Sequence, residues 1–153
     1  MSLLAPDKFT HLAESSAMRL VLVSALLIFA MGSASADTQR PSQIACDSKK
    51  IGAQALADCL RNAADRSDKE LAGAVAAAIK TIDGRTGMLS AQKSRWKRSL
   101  NDSQSLWLSW RDADCQDVAP FEAGMSAKGG DPRLGCIIDH DAQRVEELKA
   151  RYQ

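Results

Sequence analysis

Four cysteines constrain this chain more than any other feature in it. Cys46, Cys59, Cys115 and Cys136 all follow a segment with the parts of an export signal. Arg19 precedes an uncharged apolar run of 12 residues, 20–31, and Ala34-Ser35-Ala36 supplies an A-x-A cleavage site ahead of Asp37. A basic flank, an apolar stretch and small residues at the cut are what a secretory signal requires. The run is too short to cross a bilayer, which takes roughly 20 apolar residues. Residues 1–36 are therefore expected to be a cleaved signal peptide, with Met18 as an alternative start, and residues 37–153 a single domain. Lipidation would need a cysteine directly after the apolar run. Asp37 stands there and Cys46 lies well past it, so no stable membrane anchor is expected, and the protein is expected in the periplasm or secreted.

An even number of cysteines in an oxidising compartment reads as disulfides. Cys46 and Cys59 are 13 positions apart. On one straight helix that is roughly 20 Å, against a limit of ~7 Å between bridged Cα atoms. They pair only if the chain turns back between them, and Asp47-Ser48-Lys49-Lys50 with Gly52 permits such a turn. Cys115 and Cys136 flank a stretch rich in Gly and Pro, whose ends a bridge would tie. The favoured pairing is Cys46–Cys59 and Cys115–Cys136, each contributing roughly 2–4 kcal/mol. The rival is a zinc site with His140 as a further ligand. It lacks any C-x-x-C pair, and an oxidising compartment favours bridging.

The secondary-structure signal is helical. Residues 37–153 hold 18 Ala against 12 Val, Ile and Thr together, a balance poor for sheet. The first helix is expected over 53–82, where Leu71, Val75, Ala78, Ile79 and Ile82 share one face and Leu56, Leu60 and Ala64 extend it upstream. Gly84 is its natural stop. Ser67-x-x-Glu70 fits a capping box at which the helix could restart, but the unbroken periodicity favours continuity. A second helix is expected over 90–115, with Trp96, Leu100, Trp107 and Trp110 as a core stripe. A long loop over 116–135 follows, carrying Pro120, Gly124, Gly129, Gly130, Pro132 and Gly135. Loops of that length are commonly functional or disordered. A third helix over 136–152 presents Ile138, Val145, Leu148 and Tyr152. The expected fold is all-α: an antiparallel helical hairpin with a third, C-terminal helix packed across it, stapled by two disulfides.

The second helix carries a motif. The run Leu100-x3-Gln104-x2-Trp107-x2-Trp110-Arg111-Asp112-x2-Cys115 resembles the signature of the LprI-like lysozyme-inhibitor domain. That family shows an upstream cysteine pair, an Asp-x-Glu-Leu-like step, a Gly-rich loop, a later Cys and an Arg before a Leu. Here Cys46/Cys59, Asp68-Lys69-Glu70-Leu71, Gly129-Gly130, Cys136 and Arg144 before Leu148 stand in that order. Trp110 occupies a position where the family usually has Tyr. The resemblance runs from about Cys46 to Leu148 and implies a helical, disulfide-bonded inhibitor domain with lysozyme as partner. On it, Gln104, Trp107, Trp110, Arg111, Asp112 and Arg144 are motif residues of structural role. From spacing alone, Trp107 and Arg111 share a helical face as i, i+4 neighbours. An Arg partly buried beside aromatics needs a carboxylate or carbonyl partner, and Glu147 and Asp141 are the candidates.

Composition excludes several functions. With 20 Lys and Arg against 19 Asp and Glu, the net charge is +1, and there is no basic stripe for nucleic acid. Of the two His, only His140 follows the signal, so a His-based triad or multi-His metal centre is not available. Phosphate-binding loops, zinc-protease motifs and nucleophile elbows are not found. Asp112 and Asp114 point to different helix faces, and Glu146-Glu147 reads as a solvated face. No enzyme activity, cofactor or metal is expected. A protein-binding domain fits better. Its candidate contact residues are Asp117, Phe121, Glu122 and Met125 in the 116–135 loop, the two acids suiting a basic partner such as a C-type lysozyme. Phe121 packed beneath its own loop is the alternative for that residue. The alternative for the whole chain is a periplasmic structural or envelope-stress protein with a different protein partner.

Overall fold

The computed structural model describes residues 39–124 and 129–153. The expected signal peptide, its alternative start Met18 and the candidate contact residue Met125 lie outside the described residues. The described elements are α1 (Pro41–Ala45), α2 (Ala53–Gly84), α3 (Ser90–Ala113), a π-helical segment (Asp114–Val118), α4 (Ala119–Ala123) and α5 (Pro132–Arg151). Among the described residues there is no strand, and no helix is long and apolar enough to cross a membrane. The fold is all-α.

Helix α2 runs unbroken for 32 residues. The Ser67-x-x-Glu70 box does not restart it, because the Ser67 hydroxyl faces inward, 2.9 Å from the Ala64 carbonyl and 2.8 Å from the Asp141 carboxylate. Helix α3 begins at Ser90, where the Gln92 side chain accepts the Leu89 N–H at 3.0 Å.

The long loop expected over 116–135 is largely helical instead. Beyond Ala113 the turn widens by one residue, so that the Ala119 N–H bonds to the Asp114 carbonyl, five positions back. Helix α4 then continues to Ala123 and stops at Gly124, whose φ of 69° ends a helix readily. The third helix starts at Pro132, four residues before the expected position. Asp131 caps it, accepting the Arg133 N–H at 2.9 Å, and Pro132 fills the first turn, where a missing N–H has no cost.

Side-chain pairs give the direction of each helix. Lys97 meets Asp83 near the α2–α3 turn and Arg111 meets Asp68 further along, so α2 and α3 are antiparallel. Ser67 meets Asp141 and Thr81 meets the Tyr152 carbonyl, so α5 runs parallel to α2. The third helix therefore lies along the hairpin as the third rod of an up-down-up bundle. Helix α1 is tied to α5 by Asp139, which accepts the Ser42 N–H at 2.7 Å and the Ser42 hydroxyl at 3.0 Å.

The core has two parts. Near the start of α2, Cys46, Leu56, Leu60, Ala63, Ala64 and Ile138 are buried together. Near the α2–α3 turn, Leu71, Ala78, Ile82, Leu100, Val145 and Leu148 are buried, with Trp96, Trp107 and Tyr152 packed around them. The disulfides pair as expected, Cys46–Cys59 with Cα atoms 5.9 Å apart and Cys115–Cys136 at 5.4 Å. Gly130, with φ 85°, closes over the first part. A Cβ there would stand 2.6 Å from Leu60 Cδ1, so this backbone sits directly on the core.

Candidate functional site

Between the two apolar parts lies a layer of polar side chains drawn from all three long helices. Arg111 is buried in it. Its Nη1 donates to Asp141 at 2.6 Å and to Asp68 at 2.7 Å, and its Nε and Nη2 donate to Asp112 at 3.0 and 2.8 Å. Of the two partners considered for Arg111, the structure places Asp141 there, and Glu147 pairs with Arg144 and Arg151. Asp141 is fully buried. Burial raises its carboxyl above the usual range, against the lowering pull of Arg111 and Ser67. Burial also works against the charge on Arg111, but its hydrogen bonds to Asp141, Asp68 and Asp112 outweigh this and hold the guanidinium charged.

Arg144 forms the second half of the layer. Its Nε donates to Gln104 at 3.1 Å and its Nη1 to Glu147 at 2.6 Å, which holds the Glu147 carboxyl below its ordinary value. Gln104 is buried, and its Nε2 has no hydrogen-bond partner among the described residues. The half-buried Trp107 ring lies between two guanidiniums, 5.8 Å from Arg111 Cζ and 5.6 Å from Arg144 Cζ, both within cation–π range. The layer thus gathers Gln104, Trp107, Arg111, Asp112 and Arg144 around one point. Trp110 is not part of it. Expected in the core stripe, it is 51% exposed, its ring 6.3 Å from that of Trp107 at the outer edge of the layer. There its ring meets the edge of His140, with centroids 4.9 Å apart.

On the outside of α3 and α4 an apolar ridge faces solvent. Leu106 and Trp110 on α3 are 72% and 51% exposed, Val118 on the π-helical segment 44% and Phe121 on α4 87%. Phe121 does not pack beneath its own segment. Asp117 and Glu122 are exposed on either side of it. From Asp112 to Gly124 the chain carries four carboxylates, Asp112, Asp114, Asp117 and Glu122, and no Lys or Arg. The turn end is the opposite. From 80 to 98 there are six basic residues against Asp83 alone. A net charge of +1 therefore conceals a segregated distribution, which the total could not reveal.

Leu106 and Val118 went unremarked in the sequence because one exposed aliphatic residue carries no signal. Asp114 and His140, 2.9 Å apart beside the second disulfide, were missed as a pair because 26 residues separate them.

Residues 46–148 match the family described as lysozyme inhibitor LprI. No curated protein and no solved structure matches. The matched span takes in both disulfides, the buried charged layer and the acidic ridge. The chain belongs to the LprI lysozyme-inhibitor family.

Proposed function

We propose that the protein is an exported binding domain that inhibits a lysozyme by occlusion, using the ridge formed by Trp110, Val118 and Phe121 with Asp117 and Glu122. The observation that carries this reading is Phe121, held on a short helix with 87% of its surface exposed and carboxylates around it. A large apolar side chain presented in this way suits burial against a partner. The carboxylates suit a basic partner, speeding encounter and fixing orientation. The Cys115–Cys136 bridge and the Asp131 cap brace the segment from both sides, which lowers the ordering cost on binding. The family supplies the inhibitor class, and lysozyme as partner comes from it. The disulfides and the family together support an extracytoplasmic location. Inhibition by binding needs no nucleophile or acid–base pair, in line with a chain in which no catalytic motif is found.

The test is a lysozyme turbidity assay with the oxidised protein and a Phe121→Ala/Glu122→Ala variant. The parent should inhibit at micromolar concentration, and the variant should be weaker by roughly tenfold or more, as loss of a central aromatic contact implies. An inactive parent removes lysozyme as partner. Equal inhibition by the two proteins removes the ridge.

A further inference from the structure

The end of the bundle at the α2–α3 turn is where unpaired cations collect. Between residues 80 and 98 stand six basic residues and one acid, Asp83. Asp83 is already engaged: Lys97 Nζ donates to its carboxylate at 2.7 Å and Lys93 Nζ to its carbonyl at 2.8 Å. Lys80, Arg85, Arg95 and Arg98 are exposed and have no carboxylate partner among the described residues. Arg85 follows α2 directly, and the other three lie within about 12 Å, along the helix axes, of the two ends that meet there. Leu89, in the same turn, is 70% exposed. The end of α5 reaches this pole too, since the Thr81 hydroxyl donates to the Tyr152 carbonyl. Its Lys149 and Arg151 are paired with Glu146 and Glu147 and leave the balance unchanged. The next acid along α3 is Asp102, about 18 Å from the helix start.

We propose that this pole docks reversibly on an anionic phospholipid surface, with Lys80, Arg85, Arg95 and Arg98 at the headgroups and Leu89 beneath them. Each basic residue near such a surface strengthens binding by about fivefold, so four unpaired ones give half-binding at about 1 mM accessible lipid. Three features favour lipid over other polyanions. Residues 83–87 and Leu89 are all exposed, so the turn is convex and encloses no discrete ligand. An exposed leucine among cations gains from an apolar layer beneath the charge, which a bilayer has and a phosphodiester backbone lacks. Single-stranded nucleic acid is held on exposed aromatics, whereas the one aromatic between 80 and 98, Trp96, is half-buried against Tyr152 with ring centroids 6.0 Å apart. The carboxylates of 112–124 lie at the far end of α3, about 36 Å away and beyond the reach of a screened surface charge, so they do not oppose docking. One orientation follows, with the hairpin tip on the lipid and the acidic ridge facing away from it. On the reading of the ridge given above, docking leaves it open to a partner from the aqueous side; the lipid contact itself does not depend on that reading.

Vesicle sedimentation with the oxidised protein tests this. Two triple variants remove the same charge from opposite ends: Arg85→Gln/Arg95→Gln/Arg98→Gln at the tip, and Lys49→Gln/Lys50→Gln/Arg61→Gln near the start of α2, all at exposed positions. In low salt the parent should bind vesicles of phosphatidylglycerol and phosphatidylcholine in equal parts at about 1 mM accessible lipid, and should not bind pure phosphatidylcholine. Salt at about 0.5 M should release it. The tip triple should weaken binding by about a hundredfold, and the other triple by less than about threefold. Leu89→Ser places a favoured cap residue ahead of α3, so the fold is kept, and should weaken binding by about threefold. Melting temperatures checked alongside should stay near that of the parent, since the tip side chains removed make no ion pair. Equal loss in the two triples would reduce the interaction to net charge and overturn the proposal. So would a parent that does not bind at about 5 mM anionic lipid, five times the expected midpoint. Duplex DNA bound as tightly as the vesicles at equal phosphate would also overturn it, and would assign the tip to nucleic acid.

Discussion

Where α2 begins, the core is made of Leu56, Leu60, Ile138 and two alanines, and both disulfides sit at that end. Where α2 turns into α3 there is no disulfide, and Leu71, Ile82, Leu100, Val145 and Leu148 are enclosed by Trp96, Trp107 and Tyr152. Apolar burial stabilises by about 25 cal/mol per Å², so alanines contribute far less than leucines and tryptophans. The difference teaches where cross-links matter in a small domain: they stand where side chains supply the least burial. The Arg111–Asp141 layer belongs to neither part. It joins them by specific pairing, and its integrity decides whether the two ends act as one unit.

Removing Arg111 should break the comparison most severely. Arg111→Ala leaves the fully buried Asp141 without its cation, and loss of one member of such a pair costs about 3–5 kcal/mol. Urea titration measures this, and a loss below about 1 kcal/mol would mean that the layer does not hold the ends together.

Cys115→Ser/Cys136→Ser should have the next largest effect, roughly 2–4 kcal/mol. Here the location of the effect sharpens the comparison. Amide exchange should quicken in 115–123 and in the first turns of α5, and stay slow around Ile82 and Leu100. Equal quickening at both ends would show one cooperative core.

The smallest effect is a pH dependence in the Arg144 half of the polar layer, on the side facing the turn end. Arg144 holds the Glu147 carboxyl below 4.5, so its contribution is present above that pH and is lost as pH falls through the lowered value. Glu147 is nearly half exposed, so solvent screens the pair. Glu147→Gln should flatten the stability curve below pH 4.5 and change neutral stability by no more than about 0.5 kcal/mol. An acid limb of unchanged slope would assign it to other carboxylates.

Much of the fold was legible in the sequence because its signals are local. The period of apolar residues from Leu56 to Ile82 marked α2, and a turn permitted at Gly52 made Cys46–Cys59 and Cys115–Cys136 the favoured pairing among three. Signals that depend on one added residue or on distant partners were not legible. Composition suggested a loop over 116–135 because Pro and Gly are frequent there, yet Pro120 sits in the first turn of α4 and Pro132 in that of α5, where proline is accommodated. Asp131-Pro132 was a readable helix start obscured by the glycines around it. Trp110 fitted a helical stripe by spacing, but the layer at Gln104 and Arg111 had already turned that face polar. The Asp139 clasp on Ser42 spans 97 positions, and Asp141 could be named only as one of two partners for Arg111.

The wide turn at Asp114–Val118 acts on everything after it as a change of phase. An α-helix advances roughly 100° per residue, so one residue accommodated within a turn rotates the following side chains by about that angle. Deleting a single residue between Gln116 and Val118 would return the segment to ordinary winding and swing Phe121 around the axis by a quarter turn or more. Its composition would be almost unchanged, but its apolar side chain and neighbouring carboxylates would be aimed elsewhere. Length in this short stretch therefore sets direction, and chains that differ there by one residue would present the same chemistry to different surroundings.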